Sequence, residues 1–142
     1  MSMRSRLCAV LVMLFGLVAA APVEAHHSVS GVFDQGRQIT LKGVITRIEW
    51  INPHVNFHLD VKDKDGQVTA WRIETLPTNW MRKAGISKEA IFSNAAAGEI
   101  VSVQAYPGRD SSKQIGYLLR ITYPDGHFIH VTGDPEAIAP SN

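Results

Sequence analysis

The 142-residue sequence holds a single cysteine, Cys8. One thiol cannot close an internal disulfide, and thiolate zinc sites built from two to four cysteines are excluded with it. Long apolar runs are also missing, apart from Leu7 to Ala21, which falls short of the ~20 residues a membrane-spanning helix needs. Neither sign of charge is in excess, with 14 basic against 13 acidic residues. A chain so balanced has no electrostatic footprint for nucleic acid or anionic lipid. There is no Gly-x-Ser-x-Gly elbow, no phosphate loop and no dinucleotide fingerprint, so the common hydrolase and nucleotide sites are absent. No internal repeat or low-complexity tract occurs.

What is present begins with Arg4 and Arg6, the apolar run, and a small-x-small ending at Val23-Glu24-Ala25. These are the parts of a secretory signal peptide over residues 1–25, cut after Ala25, which sends the mature chain to the periplasm or the medium. Cleavage removes Cys8 and leaves 12 basic and 12 acidic residues on a chain starting His26-His27-Ser28. About 117 residues remain, enough for one domain with one core. The expected divisions are an arm over 26–38, a β-domain over 39–133 and a tail over 134–142, where Pro135 and Pro140 stand.

The centre of the chain is the stretch from Gly43 to Asp60. Val44, Thr46, Ile48 and Trp50 share one parity, and Val55, Phe57, Leu59 and Val61 share another, which predicts two strands with one buried face each. Between them Pro53 has no N–H to give a ladder, so Asn52-Pro53-His54 is read as a corner with His54 on its rim. Ile39 and Leu41 run in the opposite parity to Val44, which places a phase change, and hence a β-bulge, at Gly43.

The loop Lys64-Asp65-Gly66 admits a two-residue or a three-residue hairpin. The two-residue form sets Leu59 against Arg72 and Phe57 against Glu74 on the core face. The three-residue form pairs Val61 with Thr69, Leu59 with Trp71 and Phe57 with Ile73, and the hydrophobic pattern selects it. Pro124-Asp125-Gly126 repeats the arrangement, pairing Ile121 with Ile129 and Leu119 with Val131. A helical segment capped by Thr78 or Asn79, closed by Gly85 and followed by a turn capped at Ser87, separates strands three and four. The order predicts a mainly β fold, an OB-like closed or partly open antiparallel barrel with a short helical segment between strands three and four. An open β-sandwich is the alternative. The expected core is Phe57, Leu59, Val61, Trp71, Ile73, Val101, Val103, Leu119, Ile121, Ile129 and Val131.

His26-His27-Ser28, Trp50-Ile51-Asn52-Pro53-His54, Leu59-Asp60-Val61-Lys62-Asp63, the Gly66-Gln67-x-x-x-Trp71 spacing and Pro124-Asp125-Gly126 together resemble a family of small exported bacterial proteins known only as a domain of unknown function. The resemblance covers nearly the whole mature chain and implies no assigned activity. Gly85-Ile86 and Ala97-Gly98-Glu99 depart from that family's usual Gly-Trp and Pro-Gly-Asp, both in the helix-to-strand region.

Histidine is the main reactive inventory, six residues in all. A terminal amine and the imidazole of the same residue can chelate one metal ion, and further imidazoles complete the in-plane nitrogens that Cu(II) prefers, so His26, His27 and His54 are the candidate metal ligands. His54 and His58 lie about 13 Å apart along a strand and cannot share one ion. His58, His127 and His130 read as ordinary surface histidines. Asp60, Glu74 and His58 fall on one outer face without forming a recognisable catalytic set. The function expected is a small exported binding protein that takes copper, with a metal-free ligand- or protein-binding barrel as the alternative. Its partner is a metal ion, a small ligand or another exported protein. The outer face offers Asn56, His58, Asp60, Ala70, Arg72 and Glu74 but no aromatic platform for bases, and the mature chain has no segment to insert in a membrane.

Overall fold

The computed structural model describes residues 29–94 and 98–131. The expected signal peptide over 1–25, His26, His27 and the expected tail over 134–142 lie outside the described residues. The elements are α1 (Val29–Val32), β1 (Ile39–Glu49), β2 (Asn56–Lys62), β3 (Val68–Glu74), α2 (Thr78–Lys83), α3 (Lys88–Asn94), β4 (Val101–Pro107), β5 (Ile115–Thr122) and β6 (Phe128–His130). The strands run in the order β3-β2-β1-β4-β5-β6, and a parallel pairing of β3 with β5 closes the first five into a barrel. β6 is an extra strand on β5. This is the OB-like order, and full closure leaves the five strands no free long edge. Among the described residues no helix is long and apolar enough to cross a membrane.

The β2–β3 hairpin has the three-residue loop and the registers Val61↔Thr69, Leu59↔Trp71 and Phe57↔Ile73. Gly66 takes the left-handed φ of +84° that this loop demands. The second hairpin pairs Ile121 with Ile129, and the Val131 N–H donates to the Leu119 carbonyl at 2.7 Å.

Two phase changes differ from expectation. The bulge in β1 lies between Ile45 and Arg47, so Thr46 is the extra residue and is exposed, Ile45 rather than Val44 is buried, and Gly43 stays in phase with Leu41. Gly43 serves close approach instead: a Cβ there would sit 2.4 Å from the Asp60 carbonyl oxygen. A second bulge makes Leu119 the unpaired residue of β5, between Arg120 opposite Gln104 and Leu118 opposite Ala105. Leu118 is therefore the core residue, 0% exposed, while Leu119 is half-buried. Val61 and Trp71 are also half-buried, packed on the core's edge, and the other eight expected core residues are buried.

The helices plug the barrel through Met81 and Ile91, both fully buried. Ser87 caps α3 as expected, its Oγ accepting the Ala90 N–H at 3.0 Å. α2 starts differently: Pro77 stands at the cap position with no side-chain cap, and Thr78 Oγ1 donates to Asn52 Oδ1 at 2.8 Å. That hydroxyl ties the helix to the Pro53 corner instead of to its own backbone. The arm is fixed by Phe33, buried, bridged to Gly108 and tilted against Tyr117 at 5.6 Å.

Candidate functional site

The corner expected at Asn52-Pro53-His54 is stapled to the end of β3. Val55 is fully buried, its N–H donates to the Leu76 carbonyl at 3.1 Å, and its carbonyl accepts the Thr75 N–H at 2.9 Å. Asn56 Nδ2 donates to the His54 carbonyl at 3.1 Å, and the Asn52–Pro53 peptide is cis. On this frame His54 Nδ1 lies 2.6 Å from Glu74 Oε1, with 21% and 22% of the two side chains exposed. An ionised carboxylate only accepts, so Nδ1 is the donor in this pair, and in the neutral imidazole that arrangement leaves the lone pair on Nε2. A carboxylate holding one ring nitrogen is how metal-binding histidines are usually oriented.

Glu74 is the last residue of β3 and pairs with Tyr117 of β5, which in turn pairs with Tyr106 of β4. The outer surface therefore carries a row Tyr106, Tyr117, Glu74, with His54 at its end. Burial, and then the Glu74 charge, push the Tyr117 hydroxyl above its ordinary value. The arm meets this row, because Val29 lines a cleft of about 380 Å³ with Gln104, Tyr106, Tyr117, Leu119, His130 and Val131.

The other histidines are placed apart. His58 Nε2 lies 3.1 Å from Glu49 Oε1 and 3.0 Å from Arg47, which also pairs with Glu49. Loss of water would raise the Glu49 carboxyl, but the hydrogen bond from His58 and the Arg47 charge outweigh it and hold the group below its ordinary value. His58 thus faces Glu49, and Glu74 faces His54, so the outer-face set of Asp60, Glu74 and His58 does not assemble. His127 is not a plain surface histidine: it is half-buried, stacked on Tyr123 at 4.3 Å and 8°, with Nδ1 2.5 Å from Asp125 Oδ1. His130 is exposed, opposite Arg120, whose guanidinium covers the Phe128 ring at 3.7 Å.

Among the described residues no group of three or more His, Cys, Asp and Glu is arranged to hold a metal ion. His54 brings one imidazole and its orienting carboxylate, and any further donors have to come from elsewhere. Glu74 was legible in principle, since the hairpin register sets it opposite Asn56 and His54 lies two residues before Asn56. The far side of the corner is apolar: Asn52, Pro53, Leu76, Pro77, Asn79 and Trp80 line a cleft of about 560 Å³, beside Ile51 at 57% exposure.

The model of a family of unknown function (DUF6152) matches residues 15–116, and the chain belongs to that family. No curated protein and no solved structure matches it.

Proposed function

We propose that this family member is a small exported binding protein that takes Cu(II) at its mature amino terminus, with His26 chelating through its amine and imidazole and His27 and His54 as further donors. The observation that carries the reading is the His54–Glu74 pair at 2.6 Å on a stapled rim. It presents an oriented imidazole before any metal arrives, which lowers the ordering cost of binding.

The course of the arm supports it as well. His26 is three residues ahead of Val29, a span of at most ~10 Å. Val29 and Tyr117 line one cleft, Glu74 lies one strand spacing beyond Tyr117, roughly 4.8 Å, and His54 touches Glu74. The amine, with an ordinary pKa of about 7.7–8.0, must lose its proton to coordinate, so affinity weakens as the medium acidifies. Cu(II) outcompetes Zn(II) by the usual divalent order.

The test compares protein starting at His26 with protein carrying one extra residue ahead of it, by calorimetric titration with Cu(II). The first binds more tightly, and His54→Ala weakens it. A second reading is favoured by the apolar cleft of Pro53, Pro77 and Trp80, which suits a metal-free module for a small ligand or another exported protein. Equal copper binding by both forms, or none by either, hands the function to that module.

A further inference from the structure

The cleft of about 380 Å³ beside the arm is floored by the outer face of β4 and β5. Burial alternates along β4, which turns Gln104 and Tyr106 outward while Val103 and Ala105 face the core. Tyr117 stands directly opposite Tyr106, so their Cβ atoms are about 4.5–5.5 Å apart and the two rings share one patch. The bulge of β5 then brings Leu119 onto the same face.

Two other segments make the walls. On one side the arm is pinned: the Asp34 N–H donates to the Pro107 carbonyl at 2.9 Å, the Arg109 N–H to the Val32 carbonyl at 2.9 Å, and Phe33 packs on Tyr117. That holds Gln35 at the rim, and Gln38 follows just before β1, whose first residue pairs with Ala105. On the other side His130 ends β6, opposite Arg120 of β5. β5 has β4 along one edge and β3, then β6, along the other, so it offers no open ladder to an added peptide strand. An occupant is held by side chains.

Those side chains are neutral and unspent. Among the described residues, the amides of Gln35, Gln38 and Gln104, the hydroxyls of Tyr106 and Tyr117 and the His130 ring make no hydrogen bond to protein. The lining has no Lys, Arg, Asp or Glu, and two charged neighbours are engaged elsewhere, Arg120 over the Phe128 ring at 3.7 Å and Glu74 with His54. A charged ligand would lose water here with no counter-charge, and a purely apolar one would cover amides and hydroxyls without pairing them. What fits has an apolar face for the tyrosine rings and an edge of groups that each donate and accept, as amide side chains require. A pyranose ring has both.

We propose that this cleft binds a neutral saccharide, with Tyr106 and Tyr117 against the apolar face of the sugar ring and Gln35, Gln38, Gln104 and His130 on its hydroxyls. The volume stands at the lower end of the range for small-ligand pockets, which limits the occupant to a mono- or disaccharide. The site shares no lining residue with the apolar cleft at the Pro53 corner and does not rest on the copper reading.

The experiment titrates isotopically labelled protein starting at His26 with cellobiose and with diacetylchitobiose, and follows its resonances by NMR; a phosphorylated cellobiose and the deacetylated, cationic chitobiose are the charged comparators. Saturable shifts at Gln104, Tyr106, Tyr117 and His130 are expected with a neutral disaccharide, and its charged counterpart should bind about tenfold or more weakly. Gln104→Leu removes the amide, keeps most of the bulk, and is expected to weaken the disaccharide about two- to tenfold, the worth of one hydrogen bond. Tyr106→Ala is expected to weaken it further. An amide spectrum otherwise unchanged verifies the fold of each variant, and Gln104→Leu decides the matter if Tyr106→Ala does not fold. No saturable binding of either neutral disaccharide overturns the inference, as does binding that Gln104→Leu leaves intact. Shifts centred on Leu76 and Trp80 would put the sugar at the Pro53 corner and overturn it too, and equal binding of the charged comparators would overturn the requirement for a neutral ligand.

Discussion

The two hairpin loops have the same backbone and opposite chemistry. In the first, Asp63 N–H donates to the Gln67 carbonyl at 2.9 Å, Gly66 N–H to the Asp63 carbonyl at 3.1 Å, and Gly66 has φ +84°. In the second, Tyr123 donates to His127 at 2.9 Å, Gly126 to Tyr123 at 3.0 Å, and Gly126 has φ +92°. The closing position is an exposed aspartate in one and a tyrosine only 3% exposed in the other. Asp63 Oδ1 accepts the N–H groups of Asp65 and Gln67 at 2.9 and 2.8 Å, whereas Asp125 Oδ1 accepts the His127 N–H at 3.1 Å and also meets its ring. The loop geometry requires glycine at one position and leaves the flanks free. In the second loop those flanks hold a tyrosine and a histidine stacked on one another, and burial pushes the tyrosine hydroxyl above its ordinary value.

The largest effect is expected where the first hairpin meets the core. Leu59 is fully buried opposite Trp71, and Leu59→Ala should cost about 2–5 kcal/mol in urea unfolding. A loss below about 1 kcal/mol would mean that the register is not what seats this side chain.

Next come the glycines, which test whether the two backbones are energetically the same. A Cβ on Gly126 would meet nothing within 4 Å, and one on Gly66 would touch only Lys62 Cε at 3.6 Å. Space is not limiting, so Gly66→Ala and Gly126→Ala should each cost about 1–2 kcal/mol from the left-handed conformation alone. Denaturation midpoints that separate the two by more than the effect itself would show that flanking side chains, and not φ, set the cost.

Both hairpins were legible because alternation, a glycine and a two-versus-three-residue choice leave few registers, and one of them buries charge. The bulges were not. A bulge moves parity by one residue at any point along a strand, and Gly43 offered itself while the actual extra residues, Thr46 and Leu119, carry no mark of it. Gly43 is glycine for a reason invisible in one dimension, the passage of the Asp60 carbonyl. The corner at His54 was legible from Pro53, but its partner Glu74 belongs to the next hairpin arm and emerges only once the register is carried past Asn56. Similarly, the adjacency of β3 and β6 on one edge of β5 depends on barrel closure, which local pattern does not encode.

The smallest effect at neutral pH, and the sharpest division between the loops, is expected at Tyr123. Its hydroxyl is buried with no hydrogen-bond partner, and burial pushes its pKa up to about 12 from an ordinary 10.0. Deleting a buried hydroxyl that bonds to nothing removes a desolvation cost and no bond, so Tyr123→Phe should leave stability at pH 7 equal or slightly raised. The pH dependence has the opposite emphasis. A tyrosine whose folded pKa exceeds its unfolded one binds its proton more tightly when folded, so its contribution is fully present below pH 10 and is lost as pH rises towards 12. The parent should therefore lose stability more steeply than Tyr123→Phe across that window. The lysines and the other tyrosines titrate in both proteins, and the difference between the two thermal-melt profiles isolates Tyr123. Asp63→Ala, altered at the equivalent position of the first loop, has no such group there and should follow the parent's alkaline slope. Parallel profiles for the parent and Tyr123→Phe would show that Tyr123 ionises as freely folded as unfolded, and the contrast between the loops would then be one of shape alone.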